Sequence, residues 1–97
     1  METTQEIVDR LRAYKEKFAD KYGIEQLGLF GSVARGEQDE KSDIDVFITM
    51  IRPSFFTRMN IKEELQKLFH RKVDLVTLHE NMFRSFRQNL ERDAIYI

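Results

Sequence analysis

The sequence predicts an α/β fold, with helices packed on a small β-sheet. Three observations predict it. A chain of 97 residues is of a size that rarely divides into two domains. Its 41% hydrophobic and 34% charged residues are an ordinary globular mixture, without repeats or a low-complexity tract. Segments with helical periodicity alternate with short β-rich runs in the order α-β-(α)-β-α-β-α, which is typical of a layered α/β fold.

The first element is an amphipathic helix over residues 3–22. Thr3 or Thr4 can cap its start, Glu6 is a capping-box partner for Thr3, and Gly23 is suited to end the helix. The apolar residues recur at steps of four and three, as expected for a face that packs on a core. They are Ile7, Leu11, Tyr14, Phe18 and Tyr22.

The next part of the chain predicts two strands separated by a turn and a loop. Residues 25–30 form a short apolar run and predict a strand that stops at Gly31. Residues 32–36 predict a turn or a short helix, and residues 36–42 a polar, acidic loop. Residues 43–49 alternate in a β-rich run and predict the second strand.

The second half of the chain predicts two further helices and a third strand. Ser54 can cap a helix that runs to about His70, and residues 72–78 predict a strand. Residues 81–92 predict the last helix, and residues 94–97 a short strand or a docked tail. We expect the large apolar residues of both helices to lie mostly in the core, with exposure of a few phenylalanines at a partner contact as the alternative. They are Phe55 or Phe56, Met59, Ile61, Leu65, Leu68 and Phe69 on the first, and Met82, Phe83, Phe86 and Leu90 on the second.

The composition excludes several classes of protein. Sixteen basic and seventeen acidic side chains leave a formal net charge of -1, so direct binding to nucleic acid is not expected. The absence of cysteine excludes a disulfide scaffold, a thiolate zinc site and a cysteine nucleophile. No apolar window suits a membrane span and the N-terminus does not resemble a secretory signal, so we expect a cytoplasmic protein.

The chemically informative segment is residues 31–36, Gly-Ser-Val-Ala-Arg-Gly, followed by residues 42–45, Ser-Asp-Ile-Asp. Side chains alternate across a strand, so Asp43 and Asp45 project from the same face. Two neighbouring carboxylates repel each other, and a bound divalent cation removes that penalty. Oxygen ligands favour magnesium or manganese over zinc.

Two further features complete a candidate site for phosphate chemistry. Gly31 lets the backbone approach a ligand, and the Ser32 hydroxyl with amides at a following helix start can hold a phosphate. Arg35, one helical turn later, can pair with another phosphate oxygen. Asp74 interrupts an apolar strand, which is costly without a partner, so it is the candidate third ligand. This set suits metal-assisted phosphoryl or nucleotidyl transfer.

These motifs resemble those of a known superfamily. Glycine-serine, ten intervening residues and Asp-x-Asp are similar to the signature of the DNA polymerase beta-like nucleotidyltransferases. The sequence of residues 31–36 and 42–46, together with residues 71–77 and 92–97, resembles the minimal nucleotidyltransferase antitoxin family. The resemblance covers most of residues 25–97. It implies a mixed sheet flanked by helices and a single minimal nucleotidyltransferase domain over residues 1–97.

The same resemblance implies an activity and a partner. It implies that Asp43, Asp45 and Asp74 are catalytic and hold two Mg²⁺ ions, for which Mn²⁺ can substitute, and that Gly31 and Ser32 bind the nucleotide. AMP would pass from ATP, or another nucleoside triphosphate, to a tyrosine of a HEPN-domain ribonuclease toxin. Two alternatives stay open: a non-catalytic antitoxin that acts by occlusion, and transfer to a small molecule. A membrane partner is not expected, and self-association is left open.

Overall fold

The computed structural model describes residues 2–37, 39, 42–79 and 84–97. Within these residues, helices and strands follow one another in the predicted order, and of the two alternatives for residues 94–97 the short strand is the one observed. The elements are α1 (Thr4–Tyr22), β1 (Ile24–Phe30), α2 (Gly31–Ala34), β2 (Ile44–Met50), α3 (Phe55–Phe69), β3 (Val73–Thr77), α4 (Arg84–Asp93) and β4 (Ile95–Tyr96). The predicted fold class is confirmed, and the chain end is a strand.

The described strands form a mixed sheet in the order β3-β2-β1-β4. β1 runs antiparallel to both β2 and β4, whereas β2 and β3 are parallel. A parallel pair needs a crossover connection, and α3 supplies it. The second and third strands of the sequence prediction are therefore direct neighbours, and their first residues lie at the same edge of the sheet.

The two faces of the sheet are covered unequally. Alternation along β2 sends Val46 and Ile48 to one face, where they join a large core with buried side chains of α1 and α3. Phe47 points to the opposite face and packs with Leu78 and with Leu90 of α4 in a smaller cluster. Asp45 shares the face of Phe47, so the acidic part of the sequence lies on the less covered side.

The first helix begins and ends as its sequence predicts. Thr3 and Glu6 form the capping box, and Gly23 ends the helix in the left-handed conformation with φ 67°. The Thr4 hydroxyl donates to the Val33 carbonyl at 2.7 Å, which ties α1 to α2. Neither α1 nor another helix in the described part of the chain is long and apolar enough to cross a membrane.

The third helix is bounded as predicted, but its first turn is not buried. Ser54 caps α3 and the helix ends before His70, whereas Phe55 and Phe56 are 66% and 79% exposed, so their expected place in the core is wrong. The buried face contains Ile61 and the residues four and eight positions later. Phe55 and Phe56 are out of phase with this face, because each residue turns the helix by about 100°. Met59 is also exposed, for the same reason.

The last helix departs from its predicted packing in a different way. Leu90 is buried, as expected. Phe86 lies one turn earlier on the same face but is 45% exposed, because it borders a cavity instead of the core. Its prediction as a core residue is therefore wrong. Met82 and Phe83, also predicted to point inward, lie outside the described residues.

Candidate active site

The three predicted acids lie together at one edge of the sheet. The parallel register places Asp45 directly opposite Asp74, and Asp43 precedes β2 by one residue. Burial raises the pKa of the Asp45 carboxyl, and the negative charges of Asp74 and Asp43 raise it further. The positive charge of Arg35 acts in the opposite direction. Asp45 therefore lies within electrostatic reach of both other acids.

These carboxylates suit a hard divalent cation. No three His, Asp or Glu side chains among the described residues converge closely enough to hold a metal by themselves. Mg²⁺ takes only one or two carboxylates from a protein and completes its shell with water and phosphate oxygens. The donor set of Asp43, Asp45 and Asp74 therefore fits cations that are shared with a nucleotide. The metal-binding role of these residues stays a prediction.

Gly31 forms a close corner against Asp45. The residue has φ 73°, a left-handed backbone conformation that residues other than glycine rarely adopt. A Cβ atom at this position would collide with the Asp45 carboxylate, because the register pairs Phe30 with Asp45. Ser32 follows in the first turn of α2. The predicted phosphate-binding backbone thus adjoins the predicted metal ligands, and its contact with phosphate stays a prediction.

Arg35 faces the acids but is already paired. Its Nε atom lies 2.9 Å from Glu37 Oε2, and its Nη1 atom lies 3.3 Å from Asp93 Oδ2. The hydrogen bonds to Glu37 and then to Asp93 raise the pKa of the guanidinium. The Arg35 side chain is 41% exposed, so it is accessible from solvent. A guanidinium has five N–H donors and these two pairs use only some of them, so Arg35 can keep both carboxylates and still donate to a phosphate oxygen.

Two basic residues that the sequence analysis assigned no role hold the acidic segment in place. Arg71 Nη2 donates to the Ser42 carbonyl, and also to the Asp39 carbonyl at 3.4 Å. Lys72 Nζ lies 3.8 Å from Asp43 Oδ2. Both residues directly precede β3, whose start adjoins the start of β2. A basic pair just before the strand that carries Asp74 was the signal in the sequence that could have revealed this contact.

Comparisons with known proteins identify the family of this chain. The model of the nucleotidyltransferase domain family matches residues 11–97. A protein of Methanocaldococcus jannaschii, named as a candidate protein adenylyltransferase, is 39% identical over 100 residues. The alignment covers all of this chain and all of that protein. Protein adenylyltransferase MntA of Thermococcus cleftensis is 31% identical over 98 residues, which cover all of this chain and 98% of MntA.

Solved structures share the fold. One described as a candidate minimal nucleotidyltransferase has a TM-score of 0.72 at 30% identity and covers 90% of this chain and 92% of its own. A complex of MNT antitoxin with the tri-AMPylated HEPN toxin of Shewanella oneidensis has a TM-score of 0.66 at 18% identity. That match covers 97% of this chain and 71% of the other and shows likeness of fold. This chain belongs to the nucleotidyltransferase domain family, is similar within it to the minimal nucleotidyltransferases, and is a nucleotidyltransferase.

Proposed function

We propose that this nucleotidyltransferase transfers AMP from ATP to a tyrosine of a partner HEPN-domain toxin, in a reaction that requires Mg²⁺. The observation that carries the proposal is the meeting of Asp45, Asp74 and Asp43 beside the Gly31 corner. The relatives named as protein adenylyltransferases support a protein acceptor. The fold shared with an antitoxin bound to an AMPylated HEPN toxin supports the class of partner.

The three acids would have two roles, which are to bind cations and to accept the proton of the acceptor hydroxyl. Asp43 and Asp45 would hold the cation that accompanies the triphosphate, and Asp74 would share a second one. When bound, Mg²⁺ neutralises charge on the phosphates and lowers the pKa of the attacking hydroxyl. Asp74 is exposed on the edge strand β3, so its carboxylate is accessible to the acceptor and can take the hydroxyl proton.

The backbone at Gly31 and Ser32 would bind the triphosphate, whose outer part becomes the leaving pyrophosphate. Arg35 would donate to a phosphate oxygen through N–H groups that its two carboxylate partners leave unused. The tyrosine oxygen attacks the α-phosphorus, a phosphodiester bond forms to AMP, and the bond to pyrophosphate breaks. Because the leaving pyrophosphate carries the growing negative charge, a cationic group at this end favours the transition state.

The position of the site favours a protein as acceptor. Asp74 lies on the edge strand β3, and the described elements that follow β3 are one short helix and one short strand. The described residues form one small sheet with its helices, which leaves little material for a substrate-specific lobe within them. The partner would therefore supply the surface that surrounds its own tyrosine.

The test is incubation with labelled ATP, Mg²⁺ and the protein encoded by the neighbouring reading frame, once that frame is found to encode a helical HEPN-type protein. We expect the mass of that protein to increase by whole adenylates, mapped to tyrosine by peptide sequencing. Asp45→Asn, which keeps the shape of the side chain, and removal of Mg²⁺ by EDTA should each abolish the increase. Inhibition of the neighbour without a mass change would support occlusion and contradict the proposal. Labelling of small molecules alone would support the other alternative.

A further inference from the structure

A cavity of about 230 Å³ opens between α2 and α4, directly beside the Gly31 corner. One wall comes from the end of β1 and from α2, and the other from one side of α4. The lining residues are Phe30, Gly31, Arg35, Phe86, Asn89, Leu90, Arg92 and Asp93. Because Gly31 and Arg35 belong to the proposed phosphate site, the cavity continues that site toward α4.

The wall formed by α4 has two chemically different ends. Phe86, Asn89, Leu90 and Asp93 are spaced at i, i+3, i+4 and i+7, so they share one face of the helix. Asp93 is paired with Arg35 at 3.3 Å, which marks the end nearest the phosphate site. Phe86 is seven residues earlier, about 10 Å away along the helix axis. This separation is comparable to the span of a nucleotide from its phosphates to its base.

The far end of the cavity has the side chains that a purine base requires. The Phe86 ring is 45% exposed, and exposed aromatic rings are stacking surfaces for nucleobases. Leu90 is buried and provides an apolar floor. The Asn89 carboxamide combines a donor and an acceptor, which match the amino group and N7 of adenine. Guanine presents two acceptors on that edge, and a single carboxamide cannot satisfy both.

We propose that this face of α4 is the nucleobase wall of the nucleotide site, in which Phe86 stacks on the base and Asn89 selects adenine over guanine. The inference rests on the proposed function, because it assigns the base of the same nucleoside triphosphate. It adds the residues that determine nucleotide preference, for which the sequence motifs give no indication.

The test is calorimetric titration of the full chain with ATP, GTP and inorganic triphosphate, each in the presence of Mg²⁺. We expect Phe86→Ala to weaken ATP binding about tenfold, as for loss of one stacked base, without a change for inorganic triphosphate. Asn89→Leu should reduce the preference for ATP over GTP by about tenfold. Phe86→Tyr should retain ATP affinity. Gln88→Leu is the matched control, because this amide precedes Asn89 but does not line the cavity.

The three ligands separate failure of this inference from failure of the proposed function. Unchanged ATP affinity in Phe86→Ala with an unchanged ATP/GTP ratio in Asn89→Leu would overturn the base wall. An equal loss of inorganic triphosphate binding would also overturn it, because the variants would then act on the whole site. If the wild-type chain binds inorganic triphosphate as tightly as ATP, the base adds no affinity, and the proposed base wall alone is overturned. Wild-type protein that binds neither ligand overturns the proposed function as well.

Discussion

Two groups of carboxylates in this protein have opposite surroundings. Glu64 of α3 accepts hydrogen bonds from two phenols of α1, Tyr14 at 2.8 Å and Tyr22 at 2.5 Å. Burial, followed by the hydrogen bond to Glu64, raises the pKa of Tyr14, and the hydrogen bond to Glu64 raises that of Tyr22. Asp45 and Asp74 face each other instead, and no described residue donates a hydrogen bond to either carboxylate.

We interpret this as the difference between a structural carboxylate and carboxylates that we propose to bind cations. The charge of Glu64 is stabilised inside the fold and holds two helices of the large core together. The charges of the acidic site repel one another, and the positive charges of Arg35 and Lys72 offset that repulsion only in part, since the pKa of Asp45 is still raised. In the proposed function, a cation and a phosphate chain would restore the balance of charge when they bind.

Loss of a site carboxylate should have the largest effect. We expect Asp45→Ala to reduce nucleotidyl transfer by roughly a thousandfold or more, because a bound metal contributes several kcal/mol to the transition state. The fold should remain intact, since the substitution also removes repulsion. Initial rates of adenylate incorporation measure the effect, with circular dichroism to verify the fold. Unchanged transfer by the double variant Asp43→Ala, Asp45→Ala would reject the assignment of these residues.

The positioning role of Arg71 predicts the next effect. Arg71→Met should lower the rate by about 10- to 100-fold, as is typical when a supporting residue of a metal site is lost. The Mg²⁺ concentration for half-maximal rate should rise, because the segment before Asp43 loses its anchor. Lys72→Met is the comparison, and its effect should be smaller since that pair is solvent-exposed. A lower rate with an unchanged Mg²⁺ dependence would indicate a merely structural role for Arg71.

The phenol pair predicts a change in stability without a change in chemistry. Glu64→Ala leaves the partly buried Tyr14 hydroxyl without its acceptor and should cost about 1–3 kcal/mol. For a chain of this size, each kcal/mol lowers the Tm by roughly 4–8 °C. Thermal unfolding measures the loss, and transfer at low temperature should be normal. Glu63→Ala is the control on the exposed side of α3, and an equal Tm for both variants would contradict the structural role.

The smallest effect is a gain in stability. The folded state raises the pKa of Asp45 above its unfolded value, so it binds this proton more readily than the unfolded chain does. The free energy of unfolding therefore falls as the pH rises from the unfolded pKa, near 4, through the raised folded pKa. Asp45→Asn should remove this decline and raise the Tm at neutral pH by a few degrees. A lower Tm in the variant would contradict the assignment of Asp45 as a repelled charge.

Magnesium should reverse the difference in Tm between the wild-type chain and Asp45→Asn. A ligand that binds only the folded state raises its stability, so Mg²⁺ should raise the Tm of the wild-type chain. It should have little effect on Asp45→Asn. Calorimetric scans with and without Mg²⁺ measure this, with Glu64→Gln as a control that keeps the acidic site. Equal Mg²⁺ shifts in the wild-type chain and Asp45→Asn would place the cation elsewhere.

Local signals predicted the elements of the fold well. The capping box of Thr3 and Glu6, the helix end at Gly23 and the cap at Ser54 are each determined by a few neighbouring residues, and each is present. The strand positions follow from short apolar runs in the same way. Gly31 also stands where the motif requires it, although its positive φ and its contact with Asp45 are visible only in three dimensions.

Relations between distant residues could not be read from the sequence in this way. The pairing of Asp45 with Asp74 depends on a parallel crossover through α3, and the pattern of neither strand determines its partner. The exposure of Phe55 depends on where the axis of α3 lies on the sheet. Phe86 has the spacing of a core residue, but the cavity beside it arises from the separation of α4 and α2.

Cation positions in crystals grown with Mn²⁺ and a non-hydrolysable ATP analogue test the arrangement most directly. Manganese gives an anomalous signal that identifies it without reference to the protein. We predict manganese in direct contact with carboxylate oxygens of Asp43, Asp45 and Asp74, with the analogue's phosphates against Gly31 and Ser32. Manganese and analogue bound elsewhere on the chain, or cations that leave Asp74 without a contact, would contradict a catalytic site built from these acids.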